Sequence, residues 1–188
     1  MDAQTFKQEV NDCRRLAQQL VDGLSSDQFV LRANPAKWSI AECIAHLNRT
    51  AKVVQKITLQ GIARAKEKNI RGDGPFRLGA RGRMLIWVAE PPPKFRMPAP
   101  RSVVPPLVIE QPEKLIPDFM HAQDEWERLL QEAEGLDLAR VTLGPLFSPF
   151  RCQMSGGLMW MMAHQRRHLW QAENVKRQIL SAAAMVSA

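Results

Sequence analysis

Between positions 71 and 110 the chain places eight prolines, Pro75, Pro91, Pro92, Pro93, Pro98, Pro100, Pro105 and Pro106, together with Gly72, Gly74, Gly79 and Gly82. Proline has no amide hydrogen and its ring collides with the preceding helical turn. No long regular helix can run through this stretch, although Gly82 to Ala89 leaves room for a short one. A connection of this length inside a compact domain is uncommon, and is usually functional or a crossover between packed elements. It is therefore read as the long link between two pairs of helices, one that wraps the domain and covers part of an opening.

On either side of that stretch, apolar residues recur at helical spacing. Phe6, Val10, Cys13, Leu16, Leu20 and Leu24 form the stripe of an amphipathic helix over about 2–24. A turn-rich connector follows, with Asn34-Pro35 marking a break. Ser39-Ile40-Ala41-Glu42 has the form of a capping box, in which serine and glutamate each accept from the other's amide. It opens a second helix over about 39–68, with Trp38 packed ahead of the cap and Ile40, Cys43, Ile44, Leu47, Val54 and Ile57 on its inner face. Pro112 suits a first helical turn and starts a third helix over about 112–134, striped by Leu115, Phe119, Trp126, Leu129 and Leu130. A connector with Gly144-Pro145 and Ser148-Pro149 leads to a fourth helix over about 155–180, followed by a frayed tail from Ser181. Residues Ser102 to Ile109 look locally extended, but one such segment makes no sheet. The fold class is all-α: a single domain over 1–188, a four-helix bundle with a proline-rich crossover over about 71–110.

Composition narrows the classes of function. With 188 residues, 45% hydrophobic and 24% charged, the chain has enough apolar surface for one core. No stretch approaches the roughly 20 apolar residues of a membrane span, and MDAQTFKQEV lacks the apolar core of a signal peptide, so a cytoplasmic protein is expected. Cys13, Cys43 and Cys152 are an odd number at wide spacings, which argues against a disulfide framework or a zinc ribbon. Each is most simply a small core residue. The net charge of +7 concentrates between Arg64 and Arg101.

Three of the four histidines fall where they make sense together. His164 and His168 are four apart in MMAHQRRHLW, on one face of the fourth helix about one turn from each other. His46 lies on the inward face of the second helix, which a bundle can bring alongside the fourth. Three imidazoles leave coordination positions open, as in a reactive rather than a closed structural metal site, and they suit zinc, nickel, copper or iron alike. A helical His-x-x-x-His pair alone also arises from two core or surface histidines, and a lone inward histidine is more often a satisfied core residue. Glu42 is read as a helix cap, Gln171 as a hydrogen-bond partner or a packed polar residue, and His121 as structural or partly exposed. Cys43, three residues before His46, is within reach of the same ion but is more simply core.

The run Trp38-Ser39-Ile40-Ala41-Glu42-Cys43-Ile44-Ala45-His46-Leu47 resembles the second-helix motif of the DinB-like superfamily, W-S/T-x-x-E-x-x-x-H-L. The run from His164 to Gln171 resembles its fourth-helix motif, H-x-x-x-H-x-x-Q. Their order, their separation and the long crossover agree as well, so the resemblance covers essentially the whole chain. It implies a four-helix bundle with a three-histidine site for a divalent transition metal, nickel or zinc, whose ligands map to His46, His164 and His168. Gln165 stands where the family often has glutamate, and the crossover is longer than expected. Neither departure touches a ligand, but both leave the substrate open.

The resemblance also implies a reaction class. Relatives include metal-dependent transferases and isomerases that use low-molecular-weight thiols such as bacillithiol or mycothiol, and others resemble hydrolases. The expectation is an enzyme acting on a small-molecule substrate, with Arg77, Arg81 and Arg83 as candidates to receive a cofactor's carboxylates; the alternative for each arginine is a solvated basic loop. A different class is a non-catalytic bundle that binds metal structurally and forms a homodimer through helix faces. Nucleic-acid binding is not favoured, because charge without a reading motif is thin evidence and no exposed aromatic stacking surface is evident.

Overall fold

A computed structural model describes residues 1–95, 98–105, 111–144 and 151–186. Among them the chain forms six α-helices and no strand: α1 (Ala3–Val21), α2 (Ser26–Val30), α3 (Ile40–Glu67), α4 (Gly79–Ala89), α5 (Pro112–Glu132) and α6 (Met154–Val186), with a 3₁₀ turn at Arg101–Val103. The expected four helices correspond to α1, α3, α5 and α6. The two additional helices lie in segments read as connectors. Short α2 is held by its own capping box, Ser25 with Gln28, and buries Phe29. The short helix expected at Gly82 starts three residues earlier, at Gly79.

Helix ends shift for local reasons. α1 stops at Val21 rather than near 24, because Asp22 leaves helical geometry and Gly23 takes a φ of 73°, a conformation that suits glycine. α6 runs on to Val186, so the tail expected to fray at Ser181 is helical. Its Ala182-Ala183-Ala184 run has the highest intrinsic helix propensity of any residue type. The segment expected to be extended at Ser102 is the 3₁₀ turn at its start. Residues 106–110, and with them Pro106 and the rest of that segment, lie outside the described residues, as do Pro145, Ser148 and Pro149 of the last connector.

The long helices pack α1 on α5 and α6, and α3 on α5 and α6. Their directions follow from side-chain bonds. Asn48 Nδ2 donates to the Leu115 carbonyl at 3.0 Å and Gln55 Nε2 to the Ala122 carbonyl at 2.8 Å. Positions rise together, so α3 and α5 run parallel. On the other side, Glu9 pairs with Arg166 and Lys176 donates to the carbonyls of Gln19 and Asp22, so α1 and α6 run parallel too. His46 meets His164 while Gly61 lies against Met154, which makes α3 and α6 antiparallel. Two adjacent parallel helices cannot be joined by a tight turn. The chain between α3 and α5 has to return along the helix length, about 1.5 Å for each helical residue.

Two apolar clusters fill the interior. One surrounds Trp126, Phe6, Val54 and Met161. The other surrounds Phe29, Phe119, Ile44 and Leu169. Burying each large side chain contributes about 1.5–3 kcal/mol. α4 lies directly on α6: a Cβ built on Gly156 would sit 2.7 Å from the Leu78 carbonyl oxygen and 2.9 Å from Gly82 Cα. Two glycines therefore let backbone approach backbone, which brings the end of α4 beside the middle of α6.

Candidate metal centre

His46 is reached through a well-determined helix start. Ser39 Oγ accepts from the Glu42 amide at 3.1 Å, and Glu42 Oε2 accepts from the Ser39 amide at 2.8 Å. Glu42 also binds the Arg32 guanidinium, with Nε to Oε2 at 2.8 Å. Burial works to raise the Glu42 carboxyl, but the Arg32 and Ser39 hydrogen bonds outweigh it and hold the group below its ordinary range. One turn further on, the inward face presents His46, 2% exposed.

The His46 ring is fixed at both nitrogens. Nδ1 lies 2.8 Å from the Val103 carbonyl oxygen. A carbonyl only accepts, so Nδ1 carries the hydrogen and donates, leaving a lone pair on Nε2. That Nε2 faces Nε2 of His164 at 3.1 Å. The His168 ring completes the group, with its centroid 4.5 Å from that of His46 and 4.6 Å from that of His164. One ring nitrogen from each of the three lies within 4.8 Å of the others, a grouping that can hold a metal ion.

Two observations test the fit. Because Nδ1 of His46 is spent on a backbone carbonyl, the face-to-face Nε2 atoms either share one proton or direct two lone pairs at a cation. Nδ1 of His168 is buried with no hydrogen-bond partner among the described residues, a costly state for a polar atom. A set of three neutral imidazoles, one of them oriented by a backbone carbonyl, is the usual arrangement around a first-row transition metal. The residues fit the ion that the sequence motifs imply.

The protonation states agree. Burial lowers the pKa of His46, weakly opposed by its bond to Val103. Burial, then the charges of His46 and Arg167, push His164 down to about 3. His168 is held well below its ordinary value by burial first, then by the charges of His164, His46 and Arg167. All three rings are neutral near pH 7, which is the form that ligates metals.

The walls are aromatic. Trp38, half-buried, puts its ring centroid 4.9 Å from His46 and 5.8 Å from His168, and Trp160 stacks on His164 at 5.2 Å. Two arginines of α6 hold the segment that follows α4. Arg167 donates to the carbonyls of Val88 and Phe95 at 3.0 and 2.8 Å, and Arg166 pairs with Glu90 as well as Glu9. His164 remains partly exposed, which leaves the group approachable from one side.

The structure brings together the three histidines singled out from the sequence. His121 is exposed on α5 near Glu125. Cys43 is fully buried and does not join the group. Arg77, Arg81 and Arg83 are exposed, and Arg81 borders a small cavity with Cys152 and Gln153. The guanidinium whose charge registers at His164 and His168 belongs instead to Arg167. The sequence reading also missed Trp160, although its position one turn before His164 is a usable signal, and Val103, whose role is a backbone carbonyl and so leaves no trace in residue type.

No curated protein and no solved structure matches the chain. A model of the DinB superfamily matches residues 9–172, a span that holds His46, His164 and His168 and the elements that position them. By motif, by helical fold and by this match over most of its length, the chain belongs to the DinB superfamily.

Proposed function

We propose that this protein is a metal-dependent enzyme acting on a small molecule, of the thiol-dependent transferase or hydrolase type. His46, His164 and His168 hold a divalent transition metal, nickel or zinc, inside a four-helix bundle made by α1, α3, α5 and α6 and closed by the proline-rich crossover. One observation carries the reading: three neutral imidazoles from two helices converge, and the bond from His46 Nδ1 to the Val103 carbonyl leaves the Nε2 lone pair facing His164.

When bound, the ion supplies Lewis acidity, lowering the pKa of a thiol or water and polarising an electrophile. The protein's own groups do the rest. Val103 fixes the His46 tautomer, Trp38 and Trp160 exclude bulk water from two sides, and partly exposed His164 faces the approach. Arg167 adds a fixed positive charge that favours an anionic reactant. Among the described residues the grouping that could hold the ion consists of the three histidines. A low-molecular-weight thiol as co-substrate, a cytoplasmic setting and a homodimer belong to the same proposal. Among the described residues no helix is long and apolar enough to cross a membrane.

The test is elemental analysis of untagged wild type and His168→Ala, followed by thiol-transfer and esterase screens on the metal-loaded protein. About one equivalent of metal, lost in the variant, with turnover that needs it, supports the proposal. No metal after reconstitution overturns it. Metal without turnover, together with a large metal-dependent rise in melting temperature, would favour a structural ion in a non-catalytic protein.

A further inference from the structure

A cavity of about 490 Å³ opens at the end of α3 away from His46, between the last turns of that helix and the segment Arg140–Gly144. Gly61 is fifteen residues beyond His46 on the same helix, about 22 Å along its axis, so this cavity is separate from the histidine group. Ala65, Ile70, Val141 and Leu143 give it an apolar floor. Arg64, Lys68, Arg140 and Arg151 stand around its mouth, and among the described residues no carboxylate lines it. All four cations are exposed, and none forms an ion pair with a described carboxylate.

Two of the four have an ordinary explanation. Arg64 and Lys68 sit at the C-terminal end of α3, where cations complement the helix dipole. Arg140 and Arg151 do not, because they come from a different part of the chain and belong to no helix. They are brought to the same mouth by a small pinned structure. The Leu143 amide donates to the Cys152 carbonyl at 2.9 Å and the Met154 amide to the Val141 carbonyl at 2.8 Å, around an antiparallel bridge between Thr142 and Gln153. Arg64 reaches across to the Thr142 carbonyl at 3.5 Å. The backbone is thus arranged so that like charges gather, and such a gathering repels itself until a counter-charge enters. Guanidinium forks match phosphate oxygens two at a time, and the volume is that of a small-molecule site.

We propose that this cavity is a second ligand site, which takes a small organic phosphate with its phosphates at the arginine mouth and its body on the aliphatic floor. It is independent of the metal reading, and its residues take no part in the histidine group.

The experiment is titration calorimetry at low salt with ADP and with inorganic pyrophosphate, on wild type, on Arg140→Ala/Arg151→Ala and on Lys52→Ala/Lys56→Ala. The last variant removes the same charge from exposed positions of α3 outside the cavity. The expected result is ADP binding that weakens about tenfold or more in the arginine variant, as for loss of a charge-assisted contact, and changes little in the lysine variant. Circular dichroism and metal content should match wild type in both. Equal weakening in both variants would reduce the effect to net charge and overturn the site. So would absence of ADP binding to wild type. Pyrophosphate binding as tight as ADP would remove the organic body from the proposal. Binding of a mixed-sequence oligonucleotide that ADP does not displace would assign the cations to nucleic acid instead.

Discussion

Replacing Glu42 separates two roles that the structure combines in one side chain. Its carboxylate accepts from the Ser39 amide and pairs with Arg32. In Glu42→Ala both are lost. The Ser39 side-chain cap survives, because it accepts from a backbone amide, but the Ser39 amide, on a residue 1% exposed, is left without an acceptor, which costs about 1–3 kcal/mol. The Arg32 side chain is 48% exposed, so the ion pair adds only about 0–1 kcal/mol. The sum is about 2 kcal/mol, or roughly 4–8 °C in melting temperature for a domain of this size. Glu42→Gln keeps an acceptor for Ser39 and should lose less than about 1 kcal/mol. The pH dependence has a definite sign. The folded pKa of Glu42 lies below its unfolded value, so its charge contributes fully above the ordinary glutamate range and is lost as pH falls through the folded value. The gap between wild type and Glu42→Gln should therefore close on acidification. Thermal unfolding by circular dichroism across pH reads all of this. Equal destabilisation of the two variants would show that the charge, not the cap, dominates. Loss of metal from a folded Glu42→Ala would place Glu42 in the metal centre, against the geometry.

Gly156→Ala should cost about 1–3 kcal/mol, because its new methyl meets the Leu78 carbonyl and Gly82 Cα, backbone atoms that cannot rotate away; urea unfolding measures it, and a neutral result would mean that α4 does not sit tightly on α6. Arg167→Met removes both bonds to the Val88 and Phe95 carbonyls, so amide hydrogen exchange around Val88 to Phe95 should rise while exchange in the middle of α5 stays unchanged. Cys13 and Cys43 are fully buried, and burial pushes the Cys13 thiol up to about 12; Ellman's reagent should find the pair unreactive in native protein at pH 8 and reactive in denaturant, and fast native labelling would contradict the packing.

Much of the helical framework could be read from residue order because its causes are local. The Ser39–Glu42 box, the stripe from Phe6 to Leu20 and the proline at 112 each act within a turn or two. The three histidines were legible for a similar reason: two share a helix face, and the third lies on an apolar face that has to point inward. What escaped depends on contacts distant in sequence. Helix α2 is five residues long, too short for a periodic signal. The gathering of Arg64 with Arg140 depends on a pinned loop. The choice of Arg167 over Arg77, Arg81 and Arg83 as the cation beside the site depends on where α4 lands on α6, which Gly82 and Gly156 decide.

The segment from α4 to the 3₁₀ turn at Arg101–Val103 ties these features together. A helix face can present His46, but it cannot choose which ring nitrogen carries the hydrogen. That choice falls to the Val103 carbonyl, on a 3₁₀ turn that follows α4, whose end Arg166 and Arg167 hold. Two adjacent arginines on α6 hold the segment, while the histidines on either side of them, His164 and His168, face the site. The same few residues of α6 therefore supply two of the three imidazoles and fasten the segment that orients the third. A change that loosens that segment should free the His46 ring to rotate or switch tautomer, and so weaken metal affinity without touching a ligand.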